Sequence, residues 1–428
     1  MSLHADDLPD VLAVTPPTTP PDASLRPPGS KSITNRALIC AALAPGRSTL
    51  TGMLFADDTR AMLGAVEALG AGVTVDEDAL TVLVDGIDPR TATGEVSLDA
   101  RQSGTTGRFV LPAAALRPAR GIVDGSPQLR ARPFAALVDA LRELGATVED
   151  LGQPGYLPVA VTGPVAGGKV ALPGHISSQY LSGLLMAGPL MSEGLTVELT
   201  SPLVSVPYVE STTAVMAAFG VTVEGLTVQP GAYRPTAYDI EPDASAASYP
   251  LAAAAITGGR VTVEGLGTRS LQGDVRFADL LERMGARVER TTDHITVTGT
   301  GELHGIDVDM ADISDTAQTL AAVAVFADSP TRVTGIGFIR RKETDRVAAV
   351  VTELRRAGID AVEDEDGFTI NPGRPAPTVF ETYDDHRMAM SMALLGLRAP
   401  GVQIRNPRCV AKTYPAYFAD LARLARQG

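Results

Sequence analysis

Cations placed beside helix-start residues are the first chemistry this chain offers. Three segments end on arginine: Lys31-Ser32-Ile33-Thr34-Asn35-Arg36, Ser103-Gly104-Thr105-Thr106-Gly107-Arg108 and Asp384-Asp385-His386-Arg387. Ser177-Ser178-Gln179, Asp243-Ala244-Ser245 and Ser314-Asp315-Thr316 stand in the corresponding places of three more segments. Ser, Thr, Asn and Asp cap helices, and a helix start presents unpaired N–H groups with roughly half a positive charge. A Lys or Arg is electrostatically disfavoured there unless an external anion sits between it and those N–H groups. Capping explains any one of these starts, but not the set. Arg132, the run Arg340-Arg341-Lys342-Glu343-Thr344-Asp345-Arg346, and Lys412 add further positive charge. The expected ligand is a small molecule with several negative charges, gripped by cations from two lobes. Asp315 and Glu343, carboxylates amid an anion site, are most simply explained as proton carriers.

The elements that carry these residues repeat. Gly70, Gly145, Gly220, Gly285 and Gly358 each end an amphipathic run and recur every 65–75 residues. Ala- and Leu-rich segments follow Arg36, Arg108, Gln179, Ser248, Gln318 and Arg387 at intervals of 69–72. Each unit reads as apolar helix, strand, loop, amphipathic helix, glycine stop, strand. A period of roughly 70 residues excludes the common solenoids. The sixth amphipathic run, around 417–424, has no strand after it, whereas an orphan strand, Val11-Leu12-Ala13-Val14, stands at the other end. That strand is expected to complete the sixth unit. Three units per lobe give a first lobe over 27–239 and a second over 1–26 plus 240–428. The chain then crosses between lobes near 25–29 and 238–243, the natural hinges.

Composition narrows the class. The chain has 428 residues, 36 basic against 50 acidic, a net charge of −14, and is 45% hydrophobic and 4% aromatic. It is too long for one ordinary core and too apolar for a disordered polymer. Two cysteines, Cys40 and Cys409, make no disulfide framework, and no Cys/His cluster has metal-ligand spacing. No apolar run approaches a membrane span. Asp6, Asp7 and Asp10 followed by the proline-rich stretch 16–21 match neither signal nor transit peptide. An acidic chain without an aromatic-laced basic stripe is not expected to bind nucleic acid. The expectation is a soluble, cytoplasmic, two-domain α/β protein.

At the residues above, the chain resembles the 5-enolpyruvylshikimate-3-phosphate synthase family of enolpyruvyl transferases. The resemblance runs from Pro28-Gly29-Ser30-Lys31-Ser32 to Lys412-Thr413, densest over 29–36, 130–133, 177–180, 342–346, 384–390 and 411–413. It implies an inside-out α/β barrel fold: two similar lobes, each of three βαβαββ units, helices inside and sheets outside. It also implies transfer of the enolpyruvyl group of phosphoenolpyruvate to the 5-hydroxyl of shikimate 3-phosphate by addition and elimination. These two small molecules are the expected partners. No metal, organic cofactor, nucleic acid or membrane is expected, and the family leans towards monomers.

Residue by residue, the resemblance gives Lys31 contact with both substrates and gives Ser32 and Arg36 the shikimate carboxylate. Ser177, Ser178, Ser205 and Lys342 take the shikimate phosphate or nearby hydroxyls, with Gln179 between the ligands. Gly104, Arg132, Arg346, Arg387 and Lys412 cradle phosphoenolpyruvate. Asp315 accepts the 5-hydroxyl proton, Glu343 protonates the enol methylene, and Lys31 assists the leaving phosphate. Read without the resemblance, Asp315 also fits a helix cap and Glu343 an i,i+3 partner of Arg346. Asp57 and Asp58 either cap a helix or orient a lysine, Tyr208 either meets substrate or packs, and His386 is either structural or a modest neighbour of the ligand. Phe109 replaces a frequent proline, Phe338 stands where many relatives have an asparagine, and Gln128 and Leu129 replace a basic residue some relatives carry.

Two rivals remain at this stage. UDP-N-acetylglucosamine enolpyruvyl transferases share fold and donor but carry a cysteine in a mobile loop, whereas Cys40 falls inside an apolar helix and Cys409 beside Lys412. A two-lobe binding protein without chemistry is opposed by Asp315 and Glu343. The layout also implies that the empty protein is open and that the dianionic acceptor draws its lobes together.

Overall fold

The apolar helices form the cores. Every residue of helix Gly104–Ala114 is buried, as is every residue of Ala244–Thr257 except the last. A helix that is apolar all round has no face to give to solvent, so it must lie inside. The strands instead alternate, as in Asp22–Leu25 and Arg260–Glu264, with one side inward and one exposed. Helices inside and sheets outside follow from these two patterns.

The computed structural model describes residues 4–426; residues 1–3 and 427–428, the ends of the expected second lobe, lie outside the described residues. The chain divides into two compact units, Gly29–Glu241 and the described parts of 1–28 with 242–428. Among the described residues no helix is long and apolar enough to cross a membrane.

Gly29–Glu241 contains three four-stranded sheets. In one, Val96–Asp99 runs parallel to Gly121–Asp124, which pairs antiparallel with Val159–Thr162, itself antiparallel to Thr147–Asp150. Helices Gly104–Ala114 and Ala135–Glu143 fall between the strands in chain order, which makes the unit βαβαββ. Gly168–Leu172, Leu195–Leu199, Thr227–Val228 and Val223–Glu224 repeat that order. The remaining sheet takes its first strand from the far end of the unit: Ala237–Asp239 lies parallel to Gly46–Thr51.

The other unit has the same plan. Asp22–Leu25 pairs parallel with Arg260–Glu264, and Asp307–Asp309 with Thr331–Thr334. Its last sheet has three strands: Thr378–Phe380 runs parallel to Val402–Arg405, and Val11–Ala13 lies antiparallel to the latter in the register Val11 to Arg405. Asp22–Leu25 and Ala237–Asp239 each precede an inner helix of one unit while pairing in a sheet of the other.

The five repeat glycines all take positive φ, from 80° to 115°. They end helices where a side chain would be strained. A different glycine lets a sheet pass over a helix end: a Cβ on Gly299 would stand 2.4 Å from the carbonyl oxygen of Ala254 and 3.0 Å from that of Ala255. Gly64, by contrast, is exposed on helix Asp57–Leu69 with open space around it. We therefore expect Gly299→Ala to lower the thermal midpoint by several degrees. The overpacking costs roughly 1–3 kcal/mol, at about 2–4 °C per kcal/mol for a unit of this size. Gly64→Ala should leave the midpoint unchanged or raise it. Equal melting of the two variants would contradict the close approach.

Candidate active site

In the unit Gly29–Glu241, the cap of helix Lys31–Ala42 is Ser30, whose hydroxyl accepts the Ile33 N–H at 3.3 Å. The first helical residue is therefore a cation. Lys31 Nζ lies 3.5 Å from Asp58 Oδ2, and Asp58 is buried in the first turn of helix Asp57–Leu69. One turn along, Arg36 Nε donates to Thr212 Oγ1 at 2.8 Å, Nη1 to the Ser32 carbonyl at 2.8 Å and Nη2 to the Tyr208 carbonyl at 2.9 Å. Its guanidinium also rests 5.2 Å from the centre of the Phe109 ring.

Arg36 is 2% exposed, and among the described residues no carboxylate pairs with it. Burial pulls its pKa down from 12.5 to about 10. That penalty on the charged form is worth about 3 kcal/mol, and it is present throughout the neutral range because the side chain stays protonated there. A buried charge without a counter-ion is costly, and a ligand anion would remove the cost.

Helix Gly104–Ala114 is capped by Ser103, which accepts the Thr106 N–H at 3.2 Å. A Cβ on Gly104 would meet Arg132 Nη1 at 2.7 Å and Arg108 Nη1 at 3.0 Å. Two guanidinium groups thus converge on one helix start, with room kept open by the missing side chain. Arg108 Nη1 donates to Gln179 Oε1 at 2.7 Å, and Gln179 Nε2 donates to Thr105 Oγ1 at 3.1 Å, so the amide is held from both ends. The rings of Phe134 and Tyr180 flank the Arg108 guanidinium, each 5.2 Å away. Ser177 caps helix Ser178–Ala187 by accepting the Gln179 N–H, with Ser178 buried beside it. Ser205 takes φ 56° ahead of helix Val206–Ala218, which supplies the Tyr208 carbonyl and Thr212 to Arg36.

The other unit gathers Asp315, Lys342, Glu343, Arg346, Arg387 and Lys412 into one ionic cluster. Asp315 lies in the turn Ala311–Thr316 ahead of helix Ala317–Ala324. Its Oδ1 accepts from Lys342 Nζ at 2.5 Å and Arg346 Nη1 at 3.2 Å, and its Oδ2 from Arg387 Nη2 at 2.7 Å. Glu343 receives Arg346 Nη2 at 2.8 Å and Lys412 Nζ at 3.1 Å. The i,i+3 pair with Arg346 is thus real but shared with a cation from 66 residues beyond. Arg346, 2% exposed, also meets Asp385 through Nε at 2.7 Å.

Four cations face three carboxylates here, a surplus of one positive charge. Burial alone would lower the pKa of Arg346, but Asp385, Glu343 and Asp315 outweigh it and raise the value. Lys342 goes the other way: burial first, and the charge of Arg346 with it, pull its ammonium below the ordinary lysine value against the opposing Asp315. The Phe338 ring lies 5.7 Å from Lys342 Nζ, so a ring face stands beside this ammonium.

Two residues carry more of this geometry than their types announced. Arg108 was visible as a cation at a helix start, and its hold on Gln179 is set by a neighbouring unit of the repeat. Asp385 looked like a cap, and its bond to Arg346 spans 39 residues. The thiols take no part: burial pushes both Cys40 and Cys409 up to about 12, so neither is a thiolate at neutral pH. His386 is buried 3.5 Å from Asp385. Among the described residues, no group of three or more His, Cys, Asp or Glu side chains is arranged to hold a metal ion.

Comparison with known proteins places the chain. A family model described as EPSP synthase (3-phosphoshikimate 1-carboxyvinyltransferase) matches residues 16–421. A 3-phosphoshikimate 1-carboxyvinyltransferase of Nostoc punctiforme is 42% identical over 425 residues, covering 98% of this chain and 100% of the relative. One from Serratia proteamaculans is 44% identical over 410 residues, covering 93% and 95%. The solved EPSP synthase of Acinetobacter baumannii superposes with a TM-score of 0.82 at 28% identity, covering 97% and 98%. The enolpyruvyl transferase NikO of Streptomyces tendae, at 20% identity and a TM-score of 0.76, shares the fold.

The uncompensated charge of Arg36 makes a prediction. Arg36→Met should melt no lower than the unsubstituted protein, since a buried cation leaves, yet lose most of the midpoint increase that shikimate 3-phosphate produces. An undiminished ligand-induced increase in that variant would remove Arg36 from the site.

Proposed function

Because the chain belongs to the EPSP synthase (3-phosphoshikimate 1-carboxyvinyltransferase) family, we propose that it transfers the carboxyvinyl group of phosphoenolpyruvate to the 5-hydroxyl of shikimate 3-phosphate, with release of phosphate. The step belongs to aromatic amino acid biosynthesis, and we place it in the cytoplasm and in a monomer. The observation that carries this reading is the cluster of Lys342, Arg346, Arg387 and Lys412 around Asp315 and Glu343. A phosphate and a carboxylate on one small donor call for several cations, and the reaction also calls for two proton carriers close together. Arg346 holds both carboxylates through its two terminal nitrogens, so they lie within one side chain of each other.

In the proposed course, Asp315 takes the proton of the 5-hydroxyl as that oxygen bonds to C2 of phosphoenolpyruvate. Glu343 delivers a proton to C3, and the methylene becomes a methyl group. The tetrahedral intermediate then loses phosphate as its C–O bond to phosphorus-bearing oxygen breaks, assisted by Lys31, and a methyl proton passes back to Glu343 to restore the vinyl group. Arg132, Arg346, Arg387, Lys412 and the open helix start at Gly104 hold the donor. Ser32, Arg36, Ser177, Ser178, Ser205 and Lys342 hold the acceptor, and Gln179 lies between the two. Arginine suits planar carboxylates and phosphates through its fork of donors, and lysine serves as a mobile point charge. Positive groups fixed in advance would stabilise the charge that grows in the intermediate.

The test is phosphate release from phosphoenolpyruvate with shikimate 3-phosphate, run beside UDP-N-acetylglucosamine as acceptor. Release with the first acceptor alone is expected; release with the sugar nucleotide alone, or with neither, overturns the reading. Asp315→Ala should keep acceptor affinity within a few-fold and lose turnover by about 10²–10⁴. A lowered midpoint with normal turnover per folded molecule would make Asp315 structural.

A Cβ at position 104 gives a separate expectation. Gly104→Ala pushes on the Arg132 and Arg108 guanidinium groups, so KM for phosphoenolpyruvate should rise at least about tenfold with KM for shikimate 3-phosphate little changed. An unchanged donor KM would mean that the two arginines do not serve the donor.

A further inference from the structure

Asp385 takes no part in the steps above, yet it is among the most constrained side chains of its unit. It is fully buried. Oδ2 accepts from Arg346 Nε at 2.7 Å, and Oδ1 accepts from Arg346 Nη2 at 3.2 Å and from the Arg387 backbone N–H at 2.9 Å. One carboxylate thus forks onto the edge of one arginine and caps the helix His386–Leu395 that carries another. The chain reaches it through Tyr383 and Asp384, two consecutive non-glycine residues with φ of 53° and 56°. Such conformations are rare and persist only where the surroundings impose them. Those surroundings are on hand: Tyr383 donates through its hydroxyl to buried Glu353 at 2.7 Å, and Asp384 accepts from Asn406 Nδ2 at 3.2 Å.

The three carboxylates of the cluster therefore differ in kind. Asp315 and Glu343 keep 16% and 13% of their side-chain surface, whereas Asp385 keeps none. A ligand anion can take cations from the first two but has no path to the third. With its Nε edge tied to Asp385, Arg346 has its plane fixed, and Nη1 is turned to Asp315.

We propose that Asp385 is a positioning residue for the reaction: it sets the plane of Arg346 and the start of the Arg387 helix, so that two guanidinium groups address one donor anion. This rests on the reading that those arginines hold phosphoenolpyruvate. It adds that their aim depends on a buried carboxylate that touches no substrate.

The experiment uses the full chain and steady-state kinetics with each substrate varied in turn. Asp385→Asn keeps the shape and the helix cap, since Asn caps about as well as Asp, but removes the charge and one acceptor. KM for phosphoenolpyruvate should rise at least about tenfold while KM for shikimate 3-phosphate stays within about threefold. Asp385→Ser, which caps but is too short to reach Arg346, should show the same split. In an Arg346→Lys background, where the guanidinium edge is gone, adding Asp385→Asn should change donor KM less than about twofold. Additive effects in that background overturn the proposal, as does an unchanged donor KM in both single variants. Failure of both single variants to fold would assign Asp385 to stability alone and overturn it too. An unsubstituted protein that releases no phosphate from the two substrates would instead overturn the underlying function, which separates the two failures.

Discussion

Arg346 is the interaction on which the chemistry of its unit depends. Taking a guanidinium that is 2% exposed out of water costs several kcal/mol. Three carboxylates settle that cost, and each has a second partner: Asp315 meets Lys342 and Arg387, Glu343 meets Lys412, and Asp385 meets the start of a helix. The cluster is thus a network whose geometry is set from the inside. With one positive charge in surplus and two of its carboxylates partly open, it is also a network that an incoming anion can rearrange. A phosphate drawing Lys342, Arg387 or Lys412 to itself would loosen their hold on Asp315 or Glu343.

The unit Gly29–Glu241 solves the opposite problem. Arg36 has three neutral hydrogen-bond acceptors and a ring face, but no carboxylate. Its charge is held ready at a standing cost, while Lys31 is tempered by Asp58. Gly104 keeps space where Arg108 and Arg132 come together. One unit sets its cations against acids of its own, and the other gives Arg36 to neutral acceptors.

Much of this was legible in the residues because the repeat makes each unit confirm its neighbours. The glycine stops at Gly70, Gly145, Gly220, Gly285 and Gly358 are local chemistry, and all five take the left-handed conformation they advertise. Cations at helix starts were likewise local and countable. Partner choice was not, because it depends on which segments the fold brings together. Asp315 reads as a cap from its neighbours Ser314 and Thr316, yet its oxygens go to residues 27, 31 and 72 positions away. Asp385 does cap, as its position suggests, and its second bond to Arg346 cannot be inferred from spacing. Phe338 was visible only as a missing amide, and its ring beside Lys342 is a matter of three-dimensional packing.

The exchanged strands bear on how the molecule is made. Gly29–Glu241 is one uninterrupted stretch, so a ribosome can deliver all of its sheets, Ala237–Asp239 included, before the second half exists. Asp22–Leu25 leaves much earlier than its partner, since Ser24 bonds across 238 residues to the carbonyl of Thr262. During synthesis it is a bare edge that could join any strand it meets. The prolines at 16, 17, 20, 21, 27 and 28 on either side of it cannot donate to a ladder. They keep that short strand a poor partner for other edges until Arg260–Glu264 is made.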